Sequence, residues 1–388
     1  MPTATPDAVR TAGGRKIVLD DPKNKRVIVV GAGIIGLATA HELLRRGWDV
    51  TVLDESPVSG ATYAAAGMLA PVAEVVWDQP TLYPLMVRSA EMYPSFVKTV
   101  ESDSGENVGY LTNQTLVCAG TAADRSALND LTGLQHRLGM EVESITSSAA
   151  RRMEPSLGPG CVGAVHIPGD HQVNPRRLAQ ALQSILGSRL QPRRVESLIW
   201  SDDKVVGVRC SDGSEVFADE VLVAAGAEAG DLVDVDLRLR PVHGEVLRLN
   251  VPEGLQPLVT HTVRGLVQGR PVYLVPRGDG TVVLGATSRE DAMTGVSAAG
   301  VHQLLHDASH LIPAVLECEI YEMTTRARPG SPDDVPVIGR LADGLTVSTG
   351  YFRHGILLTP LGAAIGADLV SGVPLPSDTA AAVNPHRF

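Results

Sequence analysis

The chain has 388 residues, 44% hydrophobic, 20% charged and 4% aromatic, which excludes wholesale disorder and allows two or three domain-sized units or one large α/β unit with an inserted part. Lys plus Arg number 33 against 44 Asp plus Glu, and the net charge of −11 argues against a nucleic-acid partner, since phosphate binding needs surplus cations. Cys118, Cys161, Cys210 and Cys318 form no CxxC pair, residues 1–25 hold no signal-peptide core, and the longest apolar run, 27–40, carries three glycines and is too short for a bilayer. A cytoplasmic protein with reduced thiols and no membrane partner is expected, its residues 1–25 forming a flexible arm.

Arg26–Val30 (RVIVV) is a β-branched run of the kind buried in parallel sheets. Gly31-Ala32-Gly33-Ile34-Ile35-Gly36 follows, then a helical run at 37–46 stopping at Gly47, then a strand at 49–53 closed by Asp54, 18 residues past Gly36. This order is a dinucleotide-binding fingerprint. Gly31 permits a tight turn, Gly33 lets backbone approach a pyrophosphate, and Gly36 lets the helix pack close. The helix N-terminus favours phosphate, and Asp54 can accept from ribose hydroxyls. A glycine turn with a purely structural role would not need the acid. The motif leaves NAD and FAD open, but residues 59–71 (SGATYAAAGMLAP) place small side chains where an NAD dehydrogenase would begin its next βαβ unit. An Ala-rich helix start is the plainer reading of that run.

Further on, 81–100 and 122–138 read as helices and 195–208 as a hairpin turning at Asp202-Asp203. Residues 219–226 (DEVLVAAG) form an apolar strand ending in small residues, suited to return beneath the cofactor. Strands are expected at 245–249, 271–276 and 281–285, the last two joined by the turn 277–280, and a helix at 298–311. A β run at 346–349 leads through a glycine-flanked loop into a helix expected at 356–370, an anion-ready terminus. Arg326 and Arg328, two residues apart, lie on one side of an extended segment. The eleven histidines show no metal spacing, and the helical spacing of His302, His306 and His310 lacks an acidic partner; no metal is expected. The fold class expected is α/β with two interleaved parts (α+β, two-domain). A Rossmann-like nucleotide domain would use 26–81, 146–235 and 323–388, and an antiparallel-sheet substrate domain 82–145 and 236–322.

Several segments together resemble the glycine oxidases of thiamine biosynthesis, in the FAD-dependent D-amino-acid oxidase superfamily. They are the glycine-loop unit, AAAGML, VNP at 173–175, VYLVPR at 272–277, LGAT at 284–287, RPG at 328–330, PVIGR and GYFRHGILLTP, from Arg26 to about Val370. The combination of Tyr273, RPG and FRxGILL is the specific part. The resemblance implies a Rossmann-like FAD-binding domain with an antiparallel substrate domain and non-covalent FAD. Ile34, Ile35, Asp54 and Glu55 would sit on the ADP part and Val195 on the adenine side. Ala61, Thr62, Ala66, Gly67 and Met68 would follow the pyrophosphate and ring, Met68 also reaching substrate. Tyr351, Phe352, Arg353, His354, Gly355, Ile356 and Leu357 would line the flavin. Gly226 and Gly350 stand where backbone must approach the cofactor.

Arg328 matches the substrate-carboxylate clamp, Tyr273 its hydroxyl partner and Arg353 a second pocket arginine. The implied reaction passes a hydride from substrate Cα to flavin N5. It yields an oxoacid, ammonia or an amine, and hydrogen peroxide from dioxygen, in a homo-oligomer such as a tetramer. Four positions depart from the pattern: Asp54 for Glu, Glu228 for Trp, His243 for Lys or Arg, and Ser288 for a larger apolar residue. Ser288 puts the substrate, rather than the reaction, in question.

Plainer roles exist for each site residue. Arg328 could pair with Asp333 or Asp334, Arg353 with a surface acid, and Tyr273 could be core. Cys318, expected in a strand, has no motif for covalent flavin attachment. Two other functions stay open: an amine oxidase for a less common N-substituted glycine, and an FAD dehydrogenase using another electron acceptor.

Overall fold

The structure, a computed structural model, describes residues 25–77 and 79–388, so the expected arm at 1–25 lies outside it save for Lys25. Arg26–Val30 lies between Asp49–Leu53 and Glu220–Val223, parallel to both. Leu345–Thr349 extends this sheet in parallel, Val337–Ala342 closes it antiparallel on one edge, and Leu190–Gln191 closes the other. Val27 to Val30 are buried, as expected for strands covered on both faces. Each such side chain contributes about 1.5–3 kcal/mol of burial. One face packs against Ile34–Arg45, Leu82–Ser104, Pro175–Leu186 and Thr359–Val370. The other meets a three-stranded antiparallel sheet whose hairpin, Val195–Ser201 with Lys204–Cys210, turns at 202–203.

The second large sheet has eight strands, ordered Glu319–Gly330, Arg240–Asn250, Thr281–Gly285, Arg270–Pro276, Thr262–Val267, Thr115–Ala119, Gly163–Ile167 and Glu143–Ile145. All its pairings are antiparallel except Thr262–Val267 with Thr115–Ala119. Helix Ala298–Leu311 covers one face.

The sheets depart from the expected segments at three places. Leu82–Ser104, assigned above to the substrate part, packs into the core of the parallel layer through Leu82, Leu85, Met86, Tyr93 and Val97. Gly163–Ile167, assigned to the nucleotide part, pairs within the eight-stranded sheet. Strand Glu319–Gly330 runs through the expected boundary at 322/323.

Candidate functional site

Both large sheets contribute to a cavity of about 830 Å³. At one end lies the glycine loop. Gly31 adopts φ +102°, and a Cβ there would strike the Ala224 carbonyl, so strand 220–223 can come no closer to any other residue. A Cβ on Gly36 would strike the Gly31 carbonyl, so Gly36 serves helix packing and does not border the cavity. Ile34 N–H donates to Thr62 Oγ1 at 3.0 Å. Asp54 braces the loop: Oδ2 accepts from Ala32 N–H at 2.6 Å and Oδ1 from Ser56 N–H at 2.8 Å. Glu55 pairs with Arg194 at 2.7 Å beside Val195, and all three line this end.

The middle of the cavity is walled by residues 61–68 and 351–357. Ala61, Thr62, Ala66, Gly67 and Met68 all line it. The carbonyls behind them are gripped by two arginines, half-buried Arg277 bonding Ala66 O and buried Arg248 bonding Tyr63 O at 3.1 Å. Across from them, Tyr351, Phe352, Arg353, His354, Gly355, Ile356 and Leu357 line the wall, with Gly226 beside them. Tyr93 Oη donates to Ile356 O at 2.6 Å, Ser89 Oγ to Leu357 O at 2.7 Å, and Thr349 Oγ1 to Gly226 O at 2.6 Å.

Two expectations are corrected here. The helix expected from 356 begins at Thr359, because Phe352–His354 forms a 3₁₀ turn that continues irregularly to Leu358. The wall is therefore turn backbone rather than helix terminus. Gly350, at φ +72°, packs on Val337 and does not border the cavity.

The inner end brings Arg328, Tyr273, Met68 and Arg353 together. Arg328, on strand Glu319–Gly330, donates through Nη1 to Thr287 O at 3.2 Å. Its plainer partners are taken: Asp333 pairs with Arg387 and Asp334 with Arg240. A Cβ on Gly244 would occupy the place of the Arg328 guanidinium, and one on Gly285 that of the Tyr273 hydroxyl. In the register Gly285 stands directly opposite Tyr273, while Gly244 stands opposite Arg326, two residues from Arg328 along the same strand and so diagonal to it. Burial lowers the Arg328 guanidinium from its ordinary value, opposed by Tyr273 and reinforced by Arg353. Burial likewise raises the Tyr273 phenol, opposed by Arg328.

Arg353 does meet an acid, but one in the cavity wall: Nε lies 3.1 Å from Glu74 Oε2. Glu74 also pairs with Arg264, which lines the same end. Burial opposes ionisation of Glu74, yet Arg264 and then Arg353 hold it well below the usual carboxylate range. Burial pushes His354 down to about 4, so the ring is neutral near pH 7.

Sequence reasoning missed Glu74, Arg264, Gly244 and Gly285. Glu74 and Arg264 carry no local motif. The glycines did carry a signal, since Gly inside a strand marks a close approach. Ser288 and Glu228 line the cavity, whereas His243 does not. Cys318 sits at the end of a 3₁₀ turn, just before the clamp strand, and none of the four cysteines lines the cavity. Among the described residues no group of three His, Cys, Asp or Glu could hold a metal.

A βαβ glycine loop, an acid-braced strand end and an antiparallel layer closing one elongated cavity define a dinucleotide-dependent oxidoreductase. FAD fits this cavity. A Cβ on Gly33 would meet nothing nearer than Thr62 Oγ1 at 3.6 Å, so the protein leaves that space for a ligand. The glycine-loop helix has no acid in its first turn to compete with phosphate.

The sequence profile of the DAO family, "FAD dependent oxidoreductase", matches residues 26–369. The chain is 34% identical over 352 residues to the bifunctional protein ThiO/ThiG of Trichormus variabilis, covering 89% of this chain and 52% of that one. It thus spans about half the length of the first such relatives. It is 31% identical over 360 residues to the glycine oxidase of Geobacillus kaustophilus, covering 89% and 92% of the two chains. The crystal structure of glycine oxidase from Geobacillus kaustophilus superposes with a TM-score of 0.86, covering 94% of this chain and 100% of that one at 31% identity. Iminodiacetate oxidase from Chelativorans sp. BNC1 follows at 0.83, covering 93% and 100% at 28% identity. The chain belongs to the DAO family of FAD-dependent oxidoreductases, and its cofactor is FAD.

Proposed function

We propose that the chain is an oxidase that deaminates glycine or small N-substituted glycines such as sarcosine, with D-alanine a further candidate. The products are an oxoacid, ammonia or an amine, and hydrogen peroxide. The observation that carries this reading is the Arg328–Tyr273 pair, seated by Gly244 and Gly285 at the inner end of the cavity. A guanidinium fork takes a planar carboxylate through two parallel bonds, and the Tyr273 hydroxyl is placed to reach the same group. Holding the carboxylate there restricts Cα to one orientation. The cations Arg328 and Arg353 disfavour the substrate's ammonium form and so favour the neutral amine from which the α-hydrogen leaves. FAD, when bound, supplies the two-electron acceptor that dioxygen restores.

Non-covalent FAD, dioxygen as acceptor, a homo-oligomeric assembly and a cytoplasmic site belong to the same proposal. For location, the supporting fact is that no helix among the described residues is long and apolar enough to cross a membrane.

The purified yellow protein should release peroxide in a coupled screen of glycine, sarcosine and D-alanine. Arg328→Ala should raise KM about 100-fold while flavin absorbance is retained, the loss expected for a charge-assisted bond worth about 3 kcal/mol. Unchanged kinetics in that variant would remove the clamp role. Substrate-dependent reduction of a dye with no oxygen uptake would replace the oxidase by a dehydrogenase. A larger N-substituent is the second reading, supported by Ser288 on the cavity wall, where a small side chain leaves room.

A further inference from the structure

The inner end of the cavity holds more positive charge than one substrate carboxylate can balance. Arg264, Arg328 and Arg353 all reach it, and Glu74 is the carboxylate that answers them in the wall. The neighbouring acids are engaged elsewhere. Glu245 is held by Arg289 and Thr287, Asp334 by Arg240 and Gln79, and Asp170 by the N–H groups of Val72 and Ala73.

Glu74 is divided between two arginines. Oε1 takes Arg264, and Oε2 takes Arg353 at Nε. The other polar contact of Arg353 also runs through Nε, to His354 Nε2 at 3.3 Å, and neither Nη group bonds a described residue. A guanidinium held by Nε presents its two Nη groups as an empty fork, the geometry that takes a carboxylate end-on. Arg328 likewise has a single Nη1 bond, to a backbone carbonyl. Two guanidinium forks therefore line one cavity, that of Arg353 with both Nη groups unbonded and that of Arg328 with Nη1 on a carbonyl, and after burial the like charge of Arg353 also lowers the Arg328 guanidinium. One carboxylate on Arg328 leaves Arg353 and Arg264 to share the single charge of Glu74.

We infer that the preferred substrate is an amine bearing two carboxylates, the first on Arg328 and the second on the Arg353 fork, with Glu74 and Arg264 as positioning residues. This rests on the oxidase reading above and narrows its substrate class. The second carboxylate can sit on the nitrogen substituent, as in iminodiacetate, or on the side chain, as in D-aspartate. For the first, iminodiacetate plus dioxygen plus water gives glyoxylate, glycine and hydrogen peroxide. The α-hydrogen leaves with both electrons, which pass through FAD to dioxygen, the amine proton goes with them to the peroxide, and water then hydrolyses the imine at its C–N bond.

The test uses the FAD-loaded enzyme and two redox-inert probes, diglycolate with two carboxylates and methoxyacetate with one, titrated by the flavin absorbance shift. Diglycolate should bind at least about tenfold more tightly. Arg353→Lys, which keeps the charge but loses the fork, should bring the ratio within about threefold. Glu74→Gln, which uncovers Arg264, should raise it. In turnover, iminodiacetate should exceed sarcosine in kcat/KM, or D-aspartate should exceed D-alanine, and the preferred pair locates the second carboxylate. A diglycolate-to-methoxyacetate ratio near one, or a ratio unmoved in both variants, overturns the inference. Peroxide from sarcosine alongside a ratio near one removes the second carboxylate and leaves the oxidase reading. Diglycolate preference without peroxide from any amine removes the oxidase reading instead.

Discussion

Gly244 and Gly285 do for the inner end of the cavity what Gly31 and Gly36 do for the glycine loop: each leaves space that another group fills. The guanidinium of Arg328 lies where a Gly244 Cβ would be, and the Tyr273 hydroxyl where a Gly285 Cβ would be. Gly244→Ala should therefore act on Arg328 without touching its chemistry, raising KM about tenfold or more while flavin content stays full. Gly254→Ala is the comparison, since a Cβ there meets nothing within 4 Å, and its KM should equal that of the parent. Equal KM values for both variants would show that Arg328 does not need its present seat. Arg328, Tyr273 and Arg353 could be singled out because each falls in a segment that resembles a motif of the family, RPG, VYLVPR and GYFRHGILLTP. Glu74 and Arg264 could not. They lie 190 residues apart and meet only because the turn at 71–74 folds against strand Thr262–Val267, which no spacing rule records.

At the scale of elements, the turn at 71–74 hangs on one buried acid. Asp170 is fully buried, and its oxygens accept from Val72 N–H at 3.3 Å and Ala73 N–H at 3.1 Å, which sets the turn that carries Glu74. Burial pushes this carboxyl up to about 7, against the pull of those two donors and of Arg264, with Glu74 adding to the rise. The unfolded chain releases the same proton near pH 4. Between about pH 4 and 7 the folded state thus holds a proton that the unfolded state has lost, and stability falls as pH rises through that window. The slope is about 1.4 kcal/mol per pH unit for one full proton. Asp170→Asn cannot titrate, so its Tm should decline less between pH 5 and pH 8 than the parent's; parallel profiles would contradict the assignment. Such a turn was invisible in the sequence, unlike the hairpin around 277–280, whose Gly and Asp residues announce it. The late start of helix Thr359–Val370 has a local cause too. Pro360 suits a first helical turn, so the residues before it, including Gly355, stay in irregular turn.

Over the whole molecule, what the sequence could not divide is who packs on whom. Leu82–Ser104 has an amphipathic pattern that any apolar layer could bury, and it chose the parallel sheet. Gly163–Ile167 lies in a segment expected to serve the nucleotide part, and it joined the other sheet through Thr115–Ala119. Partner choice is a long-range property, while the glycine loop, its flanking strands and its acid are settled within thirty residues. The same architecture makes the cofactor a stabilising element. The cavity wall draws on the glycine loop and residues 348, 349 and 351–357 from one layer and on Gly244, Arg264, Tyr273 and Arg328 from the other, so FAD held there would contact both layers. A ligand bound only by the folded state stabilises by RT ln(1 + [L]/Kd), about 4 kcal/mol when free FAD is a thousandfold above Kd. For a chain of this size that corresponds to a Tm rise of about 5 °C. Stripping FAD should lower Tm by that amount, and adding it back should restore Tm progressively with the logarithm of its concentration. Because the cavity is shared, both layers should gain, moving the whole unfolding transition upward. A Tm indifferent to FAD, or a second transition that stays fixed while the first moves, would show that the two layers are not joined through the cofactor.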